Sequence, residues 1–181
     1  MNEPVIRLLT AGEAMAALPA LAEILSDCVE GGASVGFLSP YRPQDALAYW
    51  KGVADAVGNS ETVLIVAETD GAILGTVQIG IATMPNQPHR ADLKKLLVHR
   101  RARGQGLSRL LMDAAESAAV ARGRHVLVLD TATGSPAEAI YEKLGWQRVG
   151  VIPQYALMPD GSYCGSTFFY KALKPRDALS P

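Results

Sequence analysis

The residues best suited to chemistry sit in one short run, Arg101-Ala102-Arg103-Gly104-Gln105-Gly106, between a stretch that reads as a strand and a leucine–alanine helix. A helix start leaves about four backbone N–H groups unpaired and carries roughly half a positive charge from its aligned peptide dipoles. Glycines let such a turn adopt left-handed angles and let a diphosphate approach the backbone closely. Arg101 and Arg103 add long-range attraction for a polyanion. The run therefore reads as a diphosphate cradle, although the same residues fit a plain tight turn with solvated arginines. A nucleotide-triphosphate loop needs Gly-Lys-Ser/Thr after its spacer, and the chain has no such run. The dinucleotide fingerprint comes closer: Gly104-x-Gly106 follows a strand, opens a helix and precedes Asp130 at the end of the next strand. Against it, Arg109 stands where the third glycine belongs, and its bulk would hinder close helix–strand packing.

The elements that must position this turn can be read outward from it. Ala91–His99 reads as a strand leading in, although Leu93, Leu96 and Leu97 also fit a helix. Leu107, Leu110, Leu111, Ala114, Ala115 and Ala118 recur at helical spacing, and Gly123 ends that helix. His125–Asp130 is a near-continuous apolar run, the pattern of a strand covered on both faces. Ser135-Pro136 opens a short helix, Ala137–Leu144, closed by Gly145. Upstream, Thr62–Glu68 and Ala72–Thr83 flank Thr69-Asp70-Gly71, a hairpin signal. Before them come a short strand, Val5–Leu9, one helix over about Gly12–Val29, a linker Glu30–Tyr41 rich in Gly and Ser, and a second helix over about Gln44–Val57. Gln147–Ile152 and Thr167–Leu173 close the chain as strands around a Pro159-Asp160-Gly161 turn. Antiparallel strands with a single strand–helix–strand crossover predict a mixed α+β sheet, not a doubly wound one. That topology also speaks against the dinucleotide reading.

The chain has 181 residues, enough to bury a core without disulfide or metal staples. A net charge of −1 excludes a general nucleic-acid or membrane-surface binder, which needs a strong basic excess. Cys28 and Cys164 match no metal-ligand spacing, so reduced thiols and no metal are expected. No run approaches the ~20 apolar residues of a membrane span, and the opening residues, with Glu3, do not read as a signal peptide. A cytoplasmic protein is expected, with residues 3–174 as one domain and 175–181 as a C-terminal tail.

Arg101, Gly104 and Gly106 match [Q/R]-x-x-G-x-[G/A], and Ala137-x-x-x-Tyr141-x-Lys143-x-Gly145-Trp146 matches A-x-x-x-Y-x-K-x-G-F/W. In these residues the chain resembles the GCN5-related N-acetyltransferase (GNAT) superfamily, over about Val5 to Leu173 and most strongly over Asp92–Val149. Gly31 to Phe37, Leu129-Asp130-Thr131 and Pro159-Asp160-Gly161 look like its tabtoxin-resistance branch, which acetylates an amino-acid toxin.

The resemblance implies acetyl-CoA as co-substrate and the GNAT fold, a mostly antiparallel sheet with one splayed parallel pair and about four helices. By that resemblance, backbone groups of Leu96, Leu97 and Val98 would hold the pantetheine. The amides of Arg101, Ala102, Arg103, Gly104, Gln105, Gly106, Leu107 and Ser108 would hold the diphosphate. Relatives often carry an asparagine before the tyrosine helix; Gly134 takes that place here, and the Ser135 hydroxyl stands in for it. Tyr141 would then be the general acid for the leaving thiolate, or else a core tyrosine whose hydroxyl happens to find a partner, and Asp92 or Asp130 the base, or a counter-ion for the substrate ammonium. Asp130 ends a parallel strand, where open α/β sheets place ligands, but also fits a turn cap. Of the histidines, His89 is the one placed to reach a substrate. Ser34, Val35, Gly36 and Phe37 would wall the acceptor pocket, or fold back on the core, and Trp50, Trp146, Phe168 and Phe169 read as core. The implied partner is a small amine, amino acid-like or antibiotic-like, and a homodimer fits the family. A catalytically idle CoA-binding sensor module is the competing reading.

Overall fold

In the computed structural model, which describes residues 3–173, seven strands form one sheet in the order β1-β2-β3-β4-β5-β7-β6. The strands are β1 (Val5–Leu9), β2 (Thr62–Thr69), β3 (Ala72–Ile81), β4 (Arg90–Val98), β5 (Val126–Ala132), β6 (Gln147–Leu157) and β7 (Tyr163–Ala172). Only β4 and β5 pair in parallel; every other pairing is antiparallel. The expected mixed α+β sheet is present. The expected tail, 175–181, lies outside the described residues.

The helices are α1 (Ala11–Ala16), α2 (Leu18–Glu30), α3 (Pro43–Gly58), α4 (Leu107–Val120) and α5 (Pro136–Lys143). A single helix over Gly12–Val29 was expected; the chain instead breaks at Ala17. Pro19 has no N–H to give and its ring clashes with the carbonyl four residues back, so it starts a new helix rather than extending the old one. Thr10 caps α1 with a reciprocal pair, its hydroxyl taking the Glu13 amide while the Glu13 carboxylate takes the Thr10 amide at 2.8 Å. The Asp70-Gly71 turn between β2 and β3 has φ of 51° and 78°, the left-handed pair that a two-residue hairpin needs.

Both faces of the sheet are covered, which explains the unbroken apolar runs. Val63, Ile65 and Ala67 point to one face and join Leu111, Met112, Leu127, Tyr141, Trp146 and Phe169 under α4 and α5. Leu64 and Val66 point to the other and join Leu21, Leu25, Trp50 and Leu97 under α2 and α3. Trp50 and Phe169 are fully buried, as expected. Phe168 is not core: it is half-buried and meets Tyr155 edge-on at 5.3 Å. The closing strands run longer than their apolar pattern suggests, because β6 is an edge strand that bulges between Ile152 and Ala156 and exposes Val149, Ile152 and Tyr155.

Candidate active site

Parallel pairing of β4 with β5 covers only Arg90 to Asp92, facing Val126 to Val128. Both strands continue, β4 to Val98 and β5 to Ala132, so they splay and leave the β5-facing edge of β4 unpaired from Leu93 onward. The register with β3 shifts between Thr76 and Gln78, and Lys95 lies opposite that shift with φ of 51°. A bulge therefore falls where the strands part. Leu96, Leu97 and Val98 lie beyond it.

A short 3₁₀ turn, Arg100–Ala102, links β4 to α4. Gly104 and Gly106 take φ of 77° and 79°, with open space where a Cβ would point. Gly106 is the N-cap of α4, and no side chain caps this helix start. The turn divides the expected cradle in two. The amides of Arg101, Ala102 and Arg103 already donate to His99 Nδ1, His99 O and Arg100 O. Those of Gly104, Gln105, Gly106, Leu107 and Ser108 have no partner among the described residues, which narrows the set free to meet an anion.

Beneath this turn lies a residue that sequence reasoning missed. Asp27 of α2 is only 7% exposed and accepts the Arg100 amide at 2.9 Å and the Arg100 guanidinium Nε. His99 Nε2 and Arg103 Nη2 stand 3.6 and 3.9 Å from its carboxylate. Burial is the largest influence on Asp27 and pushes its pKa up, but the two Arg100 hydrogen bonds with the charges of His99 and Arg100 hold it below the usual range. The available signal was an aspartate inside an apolar helix face, between Leu25 and Cys28.

Tyr141 lies on α5, 6% exposed, against Trp146 and Phe169 with ring centroids 6.0 and 5.8 Å away. Its hydroxyl makes no hydrogen bond among the described residues. Burial first, then the charge of Asp130, push the phenol well above its usual pKa, so it stays protonated at physiological pH. The start of α5 is held by Glu138, which accepts the Gly134 amide at 2.6 Å and the Thr167 hydroxyl at 2.9 Å. Ser135 is the N-cap of α5, its hydroxyl 3.3 Å from that of Thr131.

Asp130 is exposed on β5, two residues past the last rung to β4. The buried Ser166 donates to it at 2.6 Å; this orienting hydroxyl was also missed. Asp92 sits on that last rung and is ion-paired with Arg90 at 2.5 Å. No contact joins Asp92 to Tyr141 or Asp130 among the described residues. His89 lies at the paired end of the strands, its carbonyl taking the amides of His125 and Val126, away from the splay that a substrate would enter.

The α2–α3 linker is stitched to the β6–β7 hairpin by Ser34 Oγ donating to Leu157 O at 2.9 Å and Ser39 N to Pro159 O at 2.7 Å. Val35 and Phe37 pack on the core beneath α2 and α3. Phe37 meets Tyr41 and Tyr49 edge-on, while Gly36 stays exposed with φ of 89°. Among the described residues, no three His, Cys, Asp or Glu side chains gather as for a metal, and no helix is long and apolar enough to cross a membrane.

Comparison with known proteins bears on this splay-and-turn geometry. The family described as Acetyltransferase (GNAT) family matches residues 18–146, from α2 through the turn to Trp146. The chain belongs to the GNAT acetyltransferase family. This GNAT chain is 36% identical over 112 residues to an otherwise uncharacterized N-acetyltransferase from the hisH–hisA intergenic region of Azospirillum brasilense; the match spans 61% of the chain and 65% of that relative. Two solved structures share the fold. An N-acetyltransferase from Staphylococcus aureus Mu50 has a TM-score of 0.79 at 19% identity, covering 96% of this chain and all of its own. A Salmonella typhimurium protein assigned as an acetyltransferase, solved with its cofactor acetyl-CoA, has a TM-score of 0.78 at 21% identity, covering 99% of each chain.

Proposed function

We propose that this GNAT protein is an N-acetyltransferase that moves the acetyl group of acetyl-CoA directly to the primary amine of a small molecule, with residues 3–174 as its catalytic unit. The single observation that carries the reading is the open end of α4: partnerless amides at Gly104 to Ser108, with no side-chain cap, beside a splayed β4 edge. Amides without a protein partner among the described residues suit a diphosphate. The β4 edge that no strand pairs beyond Asp92 suits the amides of a pantetheine arm lying as an added strand, with the Val98 carbonyl already accepting the Arg103 guanidinium. Acetyl-CoA supplies an activated thioester.

An ammonium has no lone pair for attack, so the acceptor must lose a proton. Asp130, held by Ser166 and open to solvent, accepts it directly or through water. Its role falls to it ahead of Asp92, whose carboxylate is engaged by Arg90. Tyr141 then gives its proton toward the departing sulfur. Burial keeps the phenol protonated at neutral pH, and its hydroxyl makes no other hydrogen bond among the described residues. Ser34 and Gly36 border the acceptor side, with Val35 and Phe37 packed beneath them on the core, and the linker's sequence resemblance to the tabtoxin branch supports an amino acid-like acceptor.

The test is thiol release from acetyl-CoA across a panel of amines. Tyr141→Phe is expected to lower kcat by about 10²-fold or more, the usual worth of a positioned acid, with acetyl-CoA binding by calorimetry retained. Binding without turnover on any amine would favour the idle sensor reading instead.

A further inference from the structure

Lys95 has no part in the transfer just described, yet it holds an unusual place. It occupies the β4 bulge in the left-handed region, φ 51°, a conformation costing roughly 1–2 kcal/mol for a side-chain-bearing residue. A glycine there would be free of that cost. Its ammonium stands over the ring of Tyr49 from α3, 5.2 Å from the centroid. A Cβ on Gly36 would lie 3.5 Å from Lys95 Nζ, so the exposed φ-positive glycine of the acceptor linker borders the ammonium. An alanine at 36 would be in ordinary contact with it, but strained by a φ of 89°.

The charge is poorly compensated. Burial is the largest influence on Lys95 and favours its neutral form, and Lys94 next to it adds to that; only Asp130 opposes them. Both residues stand past the last β4–β5 rung, Lys95 three positions beyond Asp92 and Asp130 two beyond Val128, so both border the splay; no ion pair joins the two among the described residues, and Asp130 is already bonded to Ser166. A cation over one aromatic ring gains about 0.5–2 kcal/mol, and among the described residues no hydrogen bond or ion pair engages the Lys95 ammonium, which leaves it free to hold an anionic group. The diphosphate turn is a separate place, since it begins beyond the end of β4, past the 3₁₀ turn.

We propose that Lys95 is the specificity residue for the acceptor, binding its carboxylate while Asp130 takes its amine, so that the site selects amino acids over simple amines. Their opposed charges, on the two strands that part at the splay, suit the two ends of a zwitterion. Tyr49 backs the ammonium from one side, and Gly36, with no side chain, borders it from the linker side. This proposal depends on the acetyltransferase reading above.

The experiment compares matched acceptors, amino acids and their carboxamides, by thiol release. Wild type is expected to prefer the acids by about ten- to hundred-fold in kcat/KM, the worth of one hydrogen-bonded charge. Lys95→Gln collapses that ratio toward one, mainly through KM on the acids, and Lys95→Arg keeps most of it. Wild type turning over both series equally overturns the proposal, whatever the variants do, and leaves the acetyltransferase standing. So does a Lys95→Gln that slows both series alike. Wild type that binds acetyl-CoA yet acetylates neither series sinks the transferase reading and this proposal with it.

Discussion

Removing the Asp27 carboxylate should loosen the cofactor turn without touching a single catalytic atom. In Asp27→Ala the Arg100 amide, now bonded at 2.9 Å, loses its acceptor inside a mostly buried site, a cost of about 1–3 kcal/mol. The Arg100 side chain is 55% exposed, so its ion pair adds only about 0.2–1 kcal/mol. The more distant His99 and Arg103 contacts, at 3.6 and 3.9 Å, add little. The total, about 1–4 kcal/mol, corresponds to a Tm lower by roughly 2–16 °C for a chain of this size. Because Asp27 tethers Arg100 and draws in Arg103 on either side of the 3₁₀ turn, acetyl-CoA affinity should fall several-fold as well. Thermal melts read the first effect and calorimetry the second. A variant melting within about 2 °C of wild type, with unchanged acetyl-CoA affinity, would refute the idea that this carboxylate supports the turn.

Acid should destabilise the protein through the same group. The folded pKa of Asp27 is depressed, so its contribution is present above the unfolded value near 4 and is lost as pH falls through the folded one; Asp27→Asn should flatten a stability profile measured from pH 6 to 3. Gly106→Val places a branched side chain at φ 79°, costing about 1–3 kcal/mol of strain and raising the KM for acetyl-CoA more than that for the amine. Trp50→Ala empties a fully buried site and should cost about 3–5 kcal/mol, read by denaturant midpoint. Glu138→Ala frees the Gly134 amide and the Thr167 hydroxyl; by loosening the start of α5 it should reduce kcat with little change in acetyl-CoA binding.

How much could be read from the residues varied with how local the cause was. The left-handed turn at Gly104 and Gly106 before α4 was legible because glycine pairs and a helix start act within a few residues. The Asp70-Gly71 hairpin was legible for the same reason. Pro19 was equally local, but the alanine–leucine pattern around it masked the break. The Lys95 bulge carried no signal, since its neighbours Lys94 and Leu96 read as an ordinary strand and the shift arises from the register against Thr76 and Gln78. Asp27 and Ser166 were beyond reach because their partners lie 73 and 36 positions away. Side chains that orient other side chains leave no spacing of their own.

The seam between β4 and β5 divides the sheet into two wings, β1 to β4 and β5 to β7 with β6, joined along their common border by three residue pairs. One buried core runs across that seam, Ala91 and Leu93 of β4 joining Leu127 of β5 and Phe169 of β7. Packing therefore ties the wings together where the hydrogen bonds stop, so a molecule entering the open end would meet walls already held apart rather than walls it must part.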